Sequence, residues 1–143
     1  MKRRNIIETR FLKKNRIDEE TKTQILGILK ESIYRIKDIV FAYLHGSFVE
    51  GADFRDIDIA LFVEESVNKL EIETTLSYEL TGKTGYPVEV KVVNDAPVAF
   101  QMAVLKKGVL LLSRSEDIRT DFIEKISRKY CEYVHFRNII LDA

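Results

Sequence analysis

Two carboxylates two residues apart, Asp56 and Asp58, open an otherwise apolar run that extends to Val63. On an extended strand, side chains at i and i+2 leave the same face, so both acids would project together with Cα atoms roughly 6.6 Å apart. A poorly solvated charge costs several kcal/mol unless compensated. A divalent cation would compensate both, and oxygen-only ligands point to Mg2+ or Mn2+. Glu89 lies in a second apolar run, Val88–Val93, and supplies a third carboxylate if that strand pairs beside the first. Upstream, Gly46-Ser47 closes the apolar run Ile39–Leu44. Glycine lets the backbone approach a ligand closely, and serine adds a hydroxyl beside exposed N–H donors, a corner suited to a phosphate. Metal-bearing carboxylates beside a phosphate corner are the apparatus of in-line phosphoryl or nucleotidyl transfer.

Taken singly, each piece has an ordinary explanation. Asp-x-Asp is common on surface strands and turns, Gly-Ser is a common turn, and Glu89 could pair with Lys91, two residues along the same face. Their order is more demanding: a strand ending in Gly-Ser, a short glycine-containing loop, then an apolar strand opening with Asp-x-Asp.

The surrounding pattern supplies elements to position these groups. Apolar residues at Ile25, Ile28, Leu29, Ile33 and Ile36 predict a helix over Asp18–Lys37, with Asp18, Glu19 and Glu20 where a helix dipole favours negative charge. Ile39–Leu44 reads as a buried strand, and Asp56–Val63 as a central one because apolar residues occupy both of its faces. Val67–Gly82 has a helical pattern carried by Ile72, Leu76 and Leu80, and Gly85-Tyr86-Pro87 separates it from the β-branched strand Val88–Val93. Asn94-Asp95-Ala96-Pro97 predicts a helix start, with Asp95 or Asn94 as cap, running to Lys107 and stopping at Gly108. Val109–Leu112 is a short strand. From Ser115, residues Ile118, Phe122, Ile126, Tyr130, Tyr133 and Val134 predict a long amphipathic helix. Strands alternating with helices in one short chain imply an α/β layer fold.

Composition narrows the function classes. A chain of 143 residues is one domain, and 45% hydrophobic with 32% charged residues excludes disorder and low-complexity structure. Its 23 basic and 23 acidic residues cancel, so no global field drives it onto nucleic acid or membrane. Residues 1–17 nevertheless carry seven cations against Glu8 alone, a net of +6. This basic N-terminal arm reads first as a solvated leader, with a weak nucleic-acid or acidic-partner contact as its second reading. The single cysteine, Cys131, excludes an internal disulfide or cysteine-rich zinc site and reads as buried packing. No apolar run is long enough to span a bilayer, and the cytoplasm is the expected location. There is no GxSxG frame around Ser47 and no GxxxxGK[ST] run, which disfavours a serine esterase and a P-loop nucleotidase. His45 reads as orienting the Gly-Ser corner rather than binding metal, and His135 as a surface or interface residue. Tyr130, Tyr133 and Phe136 read as core or interface aromatics.

The segment LHGSFVEGADFRDIDIALFV, Leu44 to Val63, resembles the GSx(n)DxD signature of the DNA polymerase β-like nucleotidyltransferases. More narrowly it is similar to the small, stand-alone minimal nucleotidyltransferase (MNT) group. That resemblance implies a mixed sheet flanked by helices (an α/β, or α+β, nucleotidyltransferase fold) over residues 18–143, closed by a long C-terminal helix. It implies Ser47 and Gly46 at the triphosphate, Asp56 and Asp58 as metal ligands, and Glu89 as the third acid. Three features depart from the pattern: the Gly-Ser to Asp spacing is short, Arg55 replaces the serine common before the acids, and Glu89 stands where Asp is usual. The activity implied is Mg2+-dependent adenylyl transfer from ATP to a hydroxyl of a HEPN-domain toxin, which the protein neutralises as an antitoxin. The alternative is a catalytically impaired relative that blocks its partner by contact or senses nucleotide. A homo-oligomer is left open, since the final helix can pack on its own sheet or on a second subunit.

Overall fold

Apolar residues on both faces make Ile39–His45 and Ile57–Val63 the two central strands of a four-stranded sheet. The computed structural model describes residues 14–51 and 53–142. In chain order the elements are β1 (Asn15–Arg16), α1 (Glu19–Tyr34), β2 (Ile39–His45), α2 (Ser47–Glu50), β3 (Asp53–Phe54), β4 (Ile57–Val63), α3 (Lys69–Thr84), β5 (Val88–Val92), α4 (Val98–Lys107), β6 (Val109–Ser113) and α5 (Glu116–Asp142). The main sheet runs β5-β4-β2-β6; β4 and β5 are parallel, and the other two pairings are antiparallel. It is the mixed sheet with flanking helices and a long closing helix expected of the sequence.

Period-two alternation divides the sheet's side chains between two apolar layers. Ile57, Ile59, Leu61 and Val63 of β4 face α1 and α3, meeting Ile25, Leu29, Ile33, Leu76 and Leu80. Phe41, Tyr43 and Ala60 form the opposite layer with Val104 of α4 and Phe122 and Ile126 of α5. Local chemistry fixes the helix ends. Asp18 accepts from Thr21 N at 2.8 Å to cap α1, and Asn68 accepts from Glu71 N at 3.1 Å to cap α3. Gly85 ends α3 in the left-handed conformation, φ 78°.

Several expectations need correction. Asn94 and Asp95 do not cap α4, whose N-cap is Pro97 with no side-chain bond. Asn94 instead bonds the far end of β4, accepting from Val63 N at 3.0 Å and donating to Val63 O at 2.7 Å. Asp95 pairs with Lys69 of α3 at 2.5 Å. Gly108 ends α4 in extended conformation; glycine is needed there because a Cβ would collide with Val104 O. β4 begins at Ile57, one residue after Asp56. Ile57 N donates to Pro87 O at 2.8 Å, and Pro87 has no N–H with which to extend the ladder toward Asp56. Cys131 is exposed rather than packed, because α5 outruns the core: its last buried residues are Phe122 and Ile126. Beyond them Tyr133, Phe136, Ile140 and Leu141 lie on the surface.

Of the basic segment 1–17, residues 1–13 lie outside the described residues. Asn15–Arg16 pairs antiparallel with β3, Arg16 bonds Asp53 at 2.7 Å, and Ile17 packs on the core. No helix among the described residues is long and apolar enough to cross a membrane.

Candidate functional site

The acids meet where three strands line up. Asp58 of β4 is in register with His45 of β2 on one side and with Glu89 of β5 on the other. Because Ile57 and Ile59 turn toward α1 and α3, Asp58 turns to the opposite face, and Glu89, between Val88 and Val90, shares that face. Asp56, just before β4, joins them: one carboxylate oxygen from each of Asp56, Asp58 and Glu89 lies within 4.8 Å of the others. The glutamate's extra methylene does not keep Glu89 out of the cluster. Lys91 also pairs with Glu89, Nζ to Oε1 at 3.7 Å, so the structural pairing and the acidic cluster coexist.

Concentrated negative charge leaves its mark on the acids. Burial, then the charges of Glu89 and Asp56, push the Asp58 carboxyl up to about 6. Burial, and then Glu89, raise Asp56 as well, while the Arg55 guanidinium pulls it back. Three carboxylates held this closely repel one another unless a proton or a cation sits among them. An all-oxygen set of this kind, with Asp56 and Asp58 partly buried and Glu89 exposed, fits a hard divalent cation.

The Gly46-Ser47 corner abuts the cluster. Gly46 has φ 78°, a conformation that side chains disfavour, and a Cβ built there would collide with Asp58 Oδ2. Both constraints require glycine, so the residue that turns the chain is also the one that makes room for the acid. Ser47 opens the four-residue helix α2, and its Oγ accepts from Arg55 N at 3.3 Å. The corner is thereby bonded to the residue preceding the acids. His45 lies edge-on to Phe100 of α4, ring centroids 5.6 Å apart. Its Nε2 is buried without a partner among the described residues, and burial lowers its pKa against the pull of Glu89 and Glu50. The ring is thus a neutral packing group beside the corner rather than one that bonds to it.

On the Glu89 side of the acids, a cleft of about 420 Å3 is lined by Arg55, Asp56, Ser77, Pro87, Val88 and Glu89. The sequence singled out Arg55 only as a departure from a pattern, and gave no sign of Ser77, Pro87 and Val88 as a wall. Ser77 reaches the cleft because α3 packs on β5, where its Oγ accepts from Val90 N at 3.0 Å. The charge immediately before the acids was the one visible signal.

A family model described as polymerase beta, nucleotidyltransferase matches residues 27–117. That span is more than half of the chain and contains the corner and all three acids. A search of curated proteins gave no match. Among solved structures, the chain resembles a chain of the tri-AMPylated Shewanella oneidensis HEPN toxin in complex with MNT antitoxin. The TM-score is 0.69 at 19% identity, over 85% of this chain and 96% of that one. It also resembles the toxin-antitoxin MntA-HepT (TM-score 0.63, 20% identity, 87% and 97% covered). A third is a toxin-antitoxin with AMP-PNP (TM-score 0.65, 21% identity, 88% and 97% covered). Identities this low establish a likeness of fold.

Proposed function

The chain belongs to the polymerase beta nucleotidyltransferase family, and from that premise we propose that it transfers AMP from ATP to a hydroxyl of a HEPN-domain partner, as an antitoxin. The observation that carries this reading is the row of acids: Asp56, Asp58 and Glu89 converge on one sheet face, beside a glycine that Asp58 itself requires. The partner class is suggested by the neighbours in fold, among them the complex whose toxin is tri-AMPylated.

In this reading Gly46 and Ser47 hold the phosphates, and Asp56, Asp58 and Glu89 hold the divalent cation, Mg2+ or Mn2+. Bound there, the cation supplies charge neutralisation for the triphosphate and the departing pyrophosphate. Glu89, with its exposed carboxylate on the outer strand of the row, takes the proton of the acceptor hydroxyl. Gly46 keeps the phosphate corner in contact with Asp58, so nucleotide and acids are placed by one turn of chain.

A contact-only role is the second reading, and the pairing of Glu89 with Lys91 favours it. The experiment is to incubate the protein with ATP, Mg2+ and a co-purified HEPN-domain protein, and weigh the partner by intact-mass spectrometry. The enzyme reading expects added AMP from the native protein and none from Asp56→Asn. Neutralisation of the partner by Asp56→Asn, without added mass, would establish the contact reading.

A further inference from the structure

The strand order places the two sides of the reaction. Asp58 stands between His45, which leads into the Gly46-Ser47 corner, and Glu89, which borders the cleft. Adjacent strands lie about 4.8 Å apart, so β2, which leads into the corner, and β5, which borders the cleft, lie roughly 10 Å apart with Asp58 between them. In-line displacement at phosphorus needs the leaving group and the attacking atom on opposite sides. Phosphates at the corner therefore direct the acceptor to the cleft on the Glu89 side.

Within that cleft the hydrogen-bonding inventory is short. Asp56 and Glu89 accept, Pro87 and Val88 offer no side-chain polar group, and Ser77, whose Oγ accepts from Val90 N, keeps an O–H to donate. Arg55 is the cation of the lining, and its guanidinium has no ion-pair or hydrogen-bond partner among the described residues. It is exposed and close enough to Asp56 to oppose the rise in that acid's pKa.

We propose that Arg55 orients the acceptor oxygen in this cleft. The proposal rests on the nucleotidyl-transfer reading and adds a residue to it. A hydroxyl has one proton to donate and two lone pairs. Its proton goes to the Glu89 carboxylate, one lone pair accepts from the Arg55 guanidinium, and the other attacks the α-phosphorus. The O–H bond breaks as the oxygen–phosphorus bond forms. The bond from the α-phosphorus to its bridging oxygen breaks, and that electron pair leaves with pyrophosphate.

Two measurements on the native protein, Arg55→Ala and Arg55→Lys test this. Calorimetry with ATP and Mg2+ reports the phosphate side, and steady-state AMP transfer to the co-purified HEPN-domain protein reports the acceptor side. The expected result is a roughly 10- to 100-fold loss in kcat/KM for the acceptor in Arg55→Ala. Arg55→Lys should recover part of it, with ATP affinity in both variants within about twofold of native. Transfer at the native rate by Arg55→Ala would overturn the proposal. So would a tenfold or larger weakening of ATP binding, which would put Arg55 on the phosphates. A native protein that binds ATP with Mg2+ but transfers nothing contradicts the function reading and takes the Arg55 role with it. Transfer by native protein with an indifferent Arg55→Ala overturns the Arg55 role alone.

Discussion

At the scale of single residues, the site is a balance between fold stability and function. The Asp58 carboxyl is raised from its ordinary value to about 6, so without metal the folded protein holds it protonated up to a higher pH than the unfolded chain does. Its stabilising contribution is therefore complete below the ordinary carboxylate value of 3.8 and is lost as pH rises through about 6. Thermal melts of metal-free protein should fall across that window relative to Asp58→Asn, which removes the titration, and Mg2+ should restore stability above it. At neutral pH, Asp58→Asn should stabilise the metal-free protein by about 1 to 2 kcal/mol, allowing for partial exposure of the carboxyl, and abolish transfer. An equal or lower melting temperature for Asp58→Asn would show that the acids do not repel one another as described. Gly46→Ala should act the other way. Its backbone conformation, φ 78° and ψ −161°, costs about 1 to 3 kcal/mol with a side chain, and the new methyl displaces Asp58. Both denaturation midpoint and ATP affinity should drop; a variant of native stability and affinity would contradict the close packing of corner and acid.

At the scale of elements, the strands were the most legible parts of the chain, and the ties between elements were the least. Ile39–His45 and Ile57–Val63 carry apolar residues on both faces, which marks a central strand whatever surrounds it. The sequence made Glu89 a third acid only on condition that its strand paired beside the first, and the register meets that condition. Asn94 shows where local reading fails. Asn-Asp-Ala-Pro has the composition of a helix cap, yet the asparagine is recruited by the free backbone groups of Val63, thirty-one residues earlier. Asn94→Ala leaves those groups unmet and should cost about 1 to 3 kcal/mol in a urea titration. ATP affinity should stay native, since Val63 closes the end of β4 opposite Asp58. An unchanged urea midpoint would show that the Asn94 bridge contributes little. The pairing of β1 with β3 was not foreseen, because two-residue strands carry no readable period.

At the scale of the molecule, the long last helix sets the protein's outline. Tyr130 lies under Lys106 Nζ, 5.5 Å from the ring centroid, and neighbouring Lys107 reaches Glu50 of α2 at 3.8 Å. The helix thus passes the corner end of the sheet and continues to Asp142, about 18 Å further at 1.5 Å per residue. Its amphipathic pattern was legible, but which part of it would find a core was not. Phe122 and Ile126 are buried, whereas Phe136 is 63% and Ile140 73% exposed. An apolar end left exposed past the core suits a protein partner. Ending the chain after Cys131 should keep the fold and ATP binding and lose capture of the HEPN-domain protein; retained capture would move the interface elsewhere. All of this depends on a live metal–nucleotide site. The most direct test is ATP binding by calorimetry, with and without Mg2+, for the native protein and Asp56→Asn. The account predicts binding that requires Mg2+ and is lost in Asp56→Asn. Equal binding by the variant, or no binding by the native protein at millimolar ATP, would contradict it.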